Sequence, residues 1–218
     1  MNFEQALNHS CNSAFAQIAL ELGKDNLQKT GEELGLTSTF KVDRTEIAKG
    51  TLDLSKAVNI DLGWAGIGQY TTMLNPCAMM TVMGAIANNG KAVKPYYVKE
   101  ITAPSGLKTY KASTSTLSTV ELDVDTAYRM KKLLRSNVEN YYGDSAFPGL
   151  VMCGKTGTAE VGDESTGDNA LFAGFSQDES FPYAIIVVVE DTTSTGRGIA
   201  VPIANKVLQA VKQSEKSE

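Results

Sequence analysis

The stretch Val151-Met152-Cys153-Gly154-Lys155-Thr156-Gly157-Thr158-Ala159-Glu160-Val161 constrains the fold more than any other part of the chain. It is bounded by Pro148-Gly149 before and Gly162-Asp163 after. Apolar and β-prone residues between two turn signals predict a strand. Glycine inside a strand weakens it unless something approaches the backbone closely, so Gly154 and Gly157 point to a ligand lying along the strand edge. A lysine beside two hydroxyls suits an anion. A twisted edge strand with a solvated lysine accounts for the same residues if no other part of the chain meets them.

Two further strands, Asn169 to Phe175 and Tyr183 to Val189, follow through short turns and predict an antiparallel meander. The run Ala184-Ile185-Ile186-Val187-Val188-Val189 is continuously apolar, which implies burial on both faces by helices. One such helix is expected from about Val201 to Val211, with Pro202 in its first turn and a frayed polar tail from Gln213. Upstream, Ala14, Phe15, Ile18, Ala19 and Leu22 share one helical face, with Ser10 or Asn12 as cap and Gly23 as stop. A second helix is expected from Asp25 to Leu34, ended by Gly35. Residues 37–72 show no sustained period and read as a long loop region, with Trp64 expected in the core and not facing substrate.

Asn75-Pro76 opens a helix that runs to Asn89-Gly90. Tyr96 to Thr102 and Leu107 to Lys111 read as a β-hairpin, and Asp123 or Asp125 starts a helix that stops near Tyr142-Gly143. The predicted class is α+β: an antiparallel sheet flanked by helices, with an all-helical lobe. It forms one unit over residues 1–218, mainly helical over 1–147 with a hairpin near 96–111, and a three-stranded meander plus C-terminal helix over 148–218.

Net charge is −5 with no basic cluster, which argues against a nucleic-acid partner. Three cysteines at spacings that fit no zinc pattern, with a single histidine, argue against a metal site; no cofactor is expected. Cys77 and Cys153 sit among apolar neighbours and read as buried small hydrophobes. The apolar runs are shorter than a spanning helix, and the N-terminus lacks a signal-peptide pattern.

Near the other end of the chain stands a second short motif, Ser10-Cys11-Asn12. With Lys155-Thr156-Gly157 it resembles two of the three signature motifs of penicillin-binding proteins and serine β-lactamases. Leu7 to Phe15 resembles the family's segment around Ser-x-Asn, and Gly66-Ile67-Gly68-Gln69 followed by Asn75-Pro76 resembles its Gly-Gln and Thr-Pro-Leu-Gln stretch. The resemblance implies a β-lactamase/transpeptidase-like fold. It also implies a penicillin-binding D,D-transpeptidase of peptidoglycan cross-linking, which recognises D-Ala-D-Ala stem peptides and β-lactams. Such an enzyme works at the extracytoplasmic face of a bacterial cell membrane.

Carried over residue by residue, Ser10 would pass a proton toward the leaving nitrogen, and Asn12 would hydrogen-bond the substrate amide. Lys155 would supply positive potential and orient Ser10, while the Thr156 and Thr158 hydroxyls would bind the substrate carboxylate. The Thr158 N–H would be one oxyanion donor, and Gly157 would let the ligand lie against the strand. The family's nucleophile is a serine in Ser-x-x-Lys, ahead of Ser-x-Asn, but only nine residues precede Ser10. The formal matches Ser38-Thr39-Phe40-Lys41 and Ser105-Gly106-Leu107-Lys108 come after it, in the wrong order. The expectation is therefore the C-terminal portion of a transpeptidase domain, truncated at the N-terminus and catalytically incomplete alone, its membrane anchor outside this sequence. Without the family's N-terminal strands, Tyr183 to Val189 would keep an open apolar edge that favours self-association. The alternatives are a noncatalytic peptidoglycan- or protein-binding module on the same scaffold, or a serine β-lactamase or β-lactam sensor, for which no deacylating acid can be placed.

Overall fold

The computed structural model describes residues 1–161 and 167–217, so the Gly162-Asp163 turn signal lies outside the described residues. The chain opens on a helix the sequence reading did not anticipate, α1 (Phe3–Asn8). Its signal is the capping box Asn2-x-x-Gln5: the Gln5 N–H donates to Asn2 at 2.8 Å and the Asn2 N–H to Gln5 at 3.0 Å. Next comes α2 (Asn12–Leu22), but neither Ser10 nor Asn12 caps it: Cys11 holds the cap position without a side-chain bond. The turn is held instead by α1, whose Leu7 and Ala6 carbonyls accept the Ser10 and Cys11 N–H groups at 3.1 and 2.9 Å. This leaves Ser10 in the left-handed region at φ 49°. Helix α3 (Lys24–Glu33) ends where Gly35 turns left-handed at φ 70°.

Residues 37–72 are more ordered than expected, with the hairpin β1 (Phe40–Val42) and β2 (Thr45–Ile47) and helix α4 (Asn59–Gly66). Three-residue strands and a short helix with no one-sided apolar stripe leave no period to read. Helix α4 lies close against α2 because Gly66 has no side chain; a Cβ there would come 2.4 Å from Ala19 Cβ. Trp64 on α4 is 49% exposed, contrary to the expected core position, and it does not line the groove described below. Helix α5 (Pro76–Ala87) is capped as predicted, the Cys77 N–H donating to Asn75 at 2.8 Å. The hairpin β3 (Glu100–Thr102) and β4 (Lys108–Lys111) is shorter than expected, and its strand residues are all exposed. Helix α6 (Val124–Ser136), capped by Asp123, continues as a π-helical segment, Asn137–Gly143.

The strands β5 (Met152–Ala159), β6 (Asp168–Ser176) and β7 (Ala184–Thr192) form an antiparallel sheet in that order, with Lys155 opposite Ala173 and Ala173 opposite Ile186. Alternation along β5 sends Met152 into one core, with Phe147, Phe172 and α7 (Val201–Glu215), and Cys153 into another, with α5 and α6. The architecture is thus α+β, a sheet between helical layers with a helical lobe beside it. Helix α7 does not fray at Gln213; it runs to Glu215, and Gln209 and Lys212 donate to the Pro148 and Gly149 carbonyls at 2.7 and 2.6 Å. The six residues Ala184 to Val189 are only half-buried, because β7 is an edge strand and its flank is uncovered among the described residues. Cys153 is buried, whereas Cys77 is only partly so, being in the first turn of α5. Among the described residues no helix is long and apolar enough to cross a membrane.

Candidate active site

Strand β5 is the other edge of the sheet, and its free side is finished by side chains in place of a neighbouring strand. Arg135 donates to the Met152 carbonyl at 3.0 Å, Asn137 donates to the Gly154 carbonyl at 2.7 Å, and the Thr156 N–H donates to the Tyr142 hydroxyl at 2.8 Å. The wider turn of the π-helix brings Asn137 and Tyr142, five residues apart, onto the same flank of β5. Arg135 is itself braced by Asp144 at 2.7 Å, and that guanidinium holds the Asp144 carboxyl below its usual range. Successive even-numbered residues therefore offer their backbone polar groups outward. By the same two-residue alternation the next outward N–H is that of Thr158.

Beyond this edge lies a groove of ≈ 580 Å³, large enough for a drug-sized ligand. Ser10, Asn12, Lys155, Thr156, Gly157 and Thr158 all line it, so the two distant triplets share one wall-to-wall space. The Lys155 ammonium donates to the Ser10 hydroxyl and to the Thr156 carbonyl, the latter at 2.8 Å. Burial pulls its pKa down from 10.5 to about 8, near the range where a lysine can both give and take a proton. Ser10 owes its position to the α1–α2 corner, fastened to the π-helical segment by an edge-on contact of His9 with Tyr141 at 5.2 Å. Its left-handed backbone is the kind of strain that concentrates at functional sites. Ser38 and Ser105, the two formal Ser-x-x-Lys serines, do not line the groove.

The glycines divide by cause. A Cβ on Gly154 would come 2.5 Å from the Phe172 ring, so this glycine makes room for core packing and not for a ligand, correcting the sequence reading. At Gly157 a Cβ would meet, among the described residues, only Leu171, at an ordinary 3.5 Å, so none of them requires a glycine there. The third wall carries Thr195 and Arg197, in the segment leading into α7. Gly196 presses this segment onto β5: its Cβ would stand 2.5 Å from the Gly157 carbonyl oxygen, and its N–H donates to the Thr158 hydroxyl at 3.2 Å. Burial pushes the Cys153 thiol up to about 11, which leaves it an inert core group despite its place beside the Lys-Thr-Gly run.

Sequence reasoning missed Asn137, Tyr141, Tyr142, Thr195 and Arg197. The Tyr142 hydroxyl also lies 2.8 Å from the Thr156 hydroxyl. When Tyr142 donates there and Gly196 donates to Thr158, both threonine protons are left to point into the groove. The Tyr-Tyr pair was readable only as the end of a helix, and its role follows from the π-helical register.

A family model described as the penicillin binding protein transpeptidase domain matches residues 1–209. The peptidoglycan D,D-transpeptidase PbpA of Mycobacterium tuberculosis is 27% identical over 221 residues, covering 99% of this chain and 45% of its own. Stage V sporulation protein D of Bacillus subtilis is 26% identical over 214 residues, covering 94% of this chain and 33% of its own. The chain thus spans half or less of these relatives' length. A solved structure of penicillin-binding protein A from M. tuberculosis, as its ceftriaxone acyl-enzyme complex, has a TM-score of 0.86 at 27% identity, over 96% of this chain and 48% of that one. With the match running through residues 1–209 and the same architecture recurring in a solved relative, this chain belongs to the penicillin-binding protein transpeptidase family.

Proposed function

We propose that this chain forms the substrate-recognising half of a D,D-transpeptidase that cross-links peptidoglycan on the outer side of a bacterial membrane. In this reading it binds the D-Ala-D-Ala end of a stem peptide, or a β-lactam in its place. The observation that carries the proposal is the contact of Lys155 with Ser10 across the groove that the Lys-Thr-Gly strand borders. The donor peptide lies along the free edge of β5, where Gly157 leaves room, the Thr156 and Thr158 hydroxyls take its carboxylate and Asn12 takes its amide. The outward Thr158 N–H supports the carbonyl oxygen as charge develops on it.

In the acyl transfer, a serine oxygen forms a bond to the penultimate D-Ala carbonyl while the bond to the leaving nitrogen breaks. Ser10 delivers the proton that nitrogen needs, Lys155 replaces it, and the proton given up by the attacking hydroxyl goes to the lysine of its own Ser-x-x-Lys segment. A lysine with a pKa of about 8 is suited to that exchange. The attacking serine belongs to a Ser-x-x-Lys segment other than those at Ser38 and Ser105, neither of which lines the groove. The chain by itself therefore binds but does not acylate. Incubated with a fluorescent penicillin and run on a denaturing gel, it is expected to carry no covalent label, while a soluble acyl-D-Ala-D-Ala peptide shifts the amide resonances of residues 154–158 in solution. A labelled band mapped to Ser38 or Ser10, or a peptide that leaves those resonances unmoved, would overturn the reading.

The open flank of β7 supports a further expectation, pairing with a second copy. Its half-buried Ala184 to Val189 run offers an antiparallel, self-complementary edge. Light scattering is expected to show a dimer at high concentration that Ile186→Lys weakens at least severalfold. A strictly monomeric wild type at every concentration would refute it.

A further inference from the structure

The three walls of the groove meet at one ring, that of Tyr141, to which neither the Ser-x-Asn nor the Lys-Thr-Gly triplet gives a role. On the side of the α1–α2 corner it meets His9 edge-on at 5.2 Å, and His9 stands directly ahead of Ser10. On the side of the segment before α7 it carries the Arg197 guanidinium, whose carbon lies 5.3 Å from the ring centroid. Toward β5 it leans on Tyr142, the two ring centroids being 5.7 Å apart. Tyr142 is the fixed point: it is buried, accepts from the Thr156 N–H at 2.8 Å and is bonded to the Thr156 hydroxyl at 2.8 Å. Tyr141 itself is 36% exposed and belongs to none of the buried clusters among the described residues, so its ring is not there to fill a core.

The corner that carries Ser10 needs such a support. Ser10 is exposed, and its backbone at φ 49° is a conformation that a non-glycine residue keeps only where its surroundings impose it. The Ser136 hydroxyl on α6 donates to Glu4, which pins the start of α1 but lies six positions ahead of Ser10. The contact of His9 with Tyr141 falls at the Ser10 end. We infer that Tyr141 is a positioning residue, a strut whose ring sets the His9–Ser10 turn against β5 and so brings the Ser10 hydroxyl onto the Lys155 ammonium and keeps water from it. The pair so positioned is the one on which the transpeptidase reading rests, but the strut acts with or without a ligand and is tested without one.

The lysine Cε–Hε resonances of the whole chain, followed by NMR across about pH 6.5 to 11, report the Lys155 titration directly, and Lys155→Met identifies its signal. Wild type is expected to titrate at about 8, because burial holds the ammonium down from 10.5. Without the ring the corner swings, water reaches the ammonium and the midpoint climbs back toward the ordinary lysine value. Tyr141→Leu, which keeps apolar bulk, should raise it by about one pH unit, whereas Tyr141→Phe, which keeps the ring, should titrate as wild type. His9→Ala, at an exposed position, should give the same rise, and combining it with Tyr141→Leu should add nothing, since both remove one contact. A Tyr141→Leu midpoint equal to wild type, a Tyr141→Phe shift as large as that of Tyr141→Leu, or additive effects at His9 and Tyr141 would each overturn the strut. If wild type does not bind acyl-D-Ala-D-Ala while Lys155 still follows the ring, the stem-peptide reading falls and the strut stands.

Discussion

Replacing Gly196 by alanine is expected to unseat the wall of the groove that carries Thr195 and Arg197. A Cβ at that position would stand 2.4 Å from the Leu171 carbonyl oxygen, 2.5 Å from the Gly157 carbonyl oxygen and 3.0 Å from Thr156 Cβ. Two of these three atoms are backbone of adjacent sheet strands and cannot rotate aside, so the segment before α7 must lift off β5. Overpacking of this kind costs about 1–3 kcal/mol, and with two rigid contacts the upper end applies. Lifting the segment also breaks the Gly196 bond to the Thr158 hydroxyl and carries the Arg197 guanidinium away from the Tyr141 ring, whose centroid lies 5.3 Å from it. Chemical denaturation should therefore show a loss of about 3 kcal/mol, with affinity for acyl-D-Ala-D-Ala falling by more than tenfold. Gly198→Ala is the control: its Cβ would meet the Ser194 hydroxyl at 2.7 Å, which can turn away, and the Thr195 hydroxyl at an ordinary 3.4 Å, so the cap that Thr195 makes to the Gly198 N–H can stay. A Gly196→Ala protein as stable and as competent in binding as Gly198→Ala would show that the wall is not seated as described.

The same contact explains why part of the site was legible in the sequence and part was not. Ser10 and Lys155 could be paired before any fold was known, because each lies in a triplet whose chemistry is local and whose partner is recognisable. Arg197 could not. Its place depends on Gly196 fitting between carbonyls of strands β5 and β6, a tertiary fit that leaves no periodic trace. Gly154 was misread for a related reason: a glycine in a strand signals close approach, but the sequence does not say whether ligand or core approaches, and here it is the Phe172 ring.

Elements that bury a continuous stripe or carry a strong cap, such as α5 with Asn75-Pro76 and α6 with Asp123, were legible nearly to the residue. Short elements stabilised by what they pack against, such as α4 on α2 through Gly66, were not. Trp64 shows the limit of composition: an aromatic on a short helix was assigned to the core by habit of its type, and lies half in solvent. The one short element that could have been found is α1, since Asn2 and Gln5 stand at capping-box spacing.

Lys155→Met is expected to move stability and ligand binding in opposite directions, and pH should separate the two. Burial holds the folded-state pKa at about 8 against 10.5 for an ordinary lysine. Below pH 8 the group is protonated whether folded or unfolded, and the folded state bears the full cost of a poorly hydrated ammonium. Between about 8 and 10.5 the unfolded chain binds more protons than the folded one, so stability rises with pH through that window. A displacement of that size corresponds to about 3 kcal/mol at full burial. Residual solvent and the bonds to Ser10 and Thr156 reduce this to roughly 1–2 kcal/mol. At pH 7 the methionine variant should therefore be more stable than wild type by roughly 1–2 kcal/mol, with the gap closing as pH approaches 10.5. Binding runs the other way: wild type should lose affinity for acyl-D-Ala-D-Ala as pH rises through 8 and the ammonium discharges. The variant should bind about tenfold more weakly at pH 7 and show no step there. Denaturation and titration across pH 6.5 to 10 check both halves. A stability gap that widens with pH, or a variant that keeps wild-type affinity, would mean that Lys155 is neither desolvated nor facing the ligand. Opposed trends would identify it as a group held in the groove at a cost to the fold, which is what a site lysine coupled to Ser10 requires.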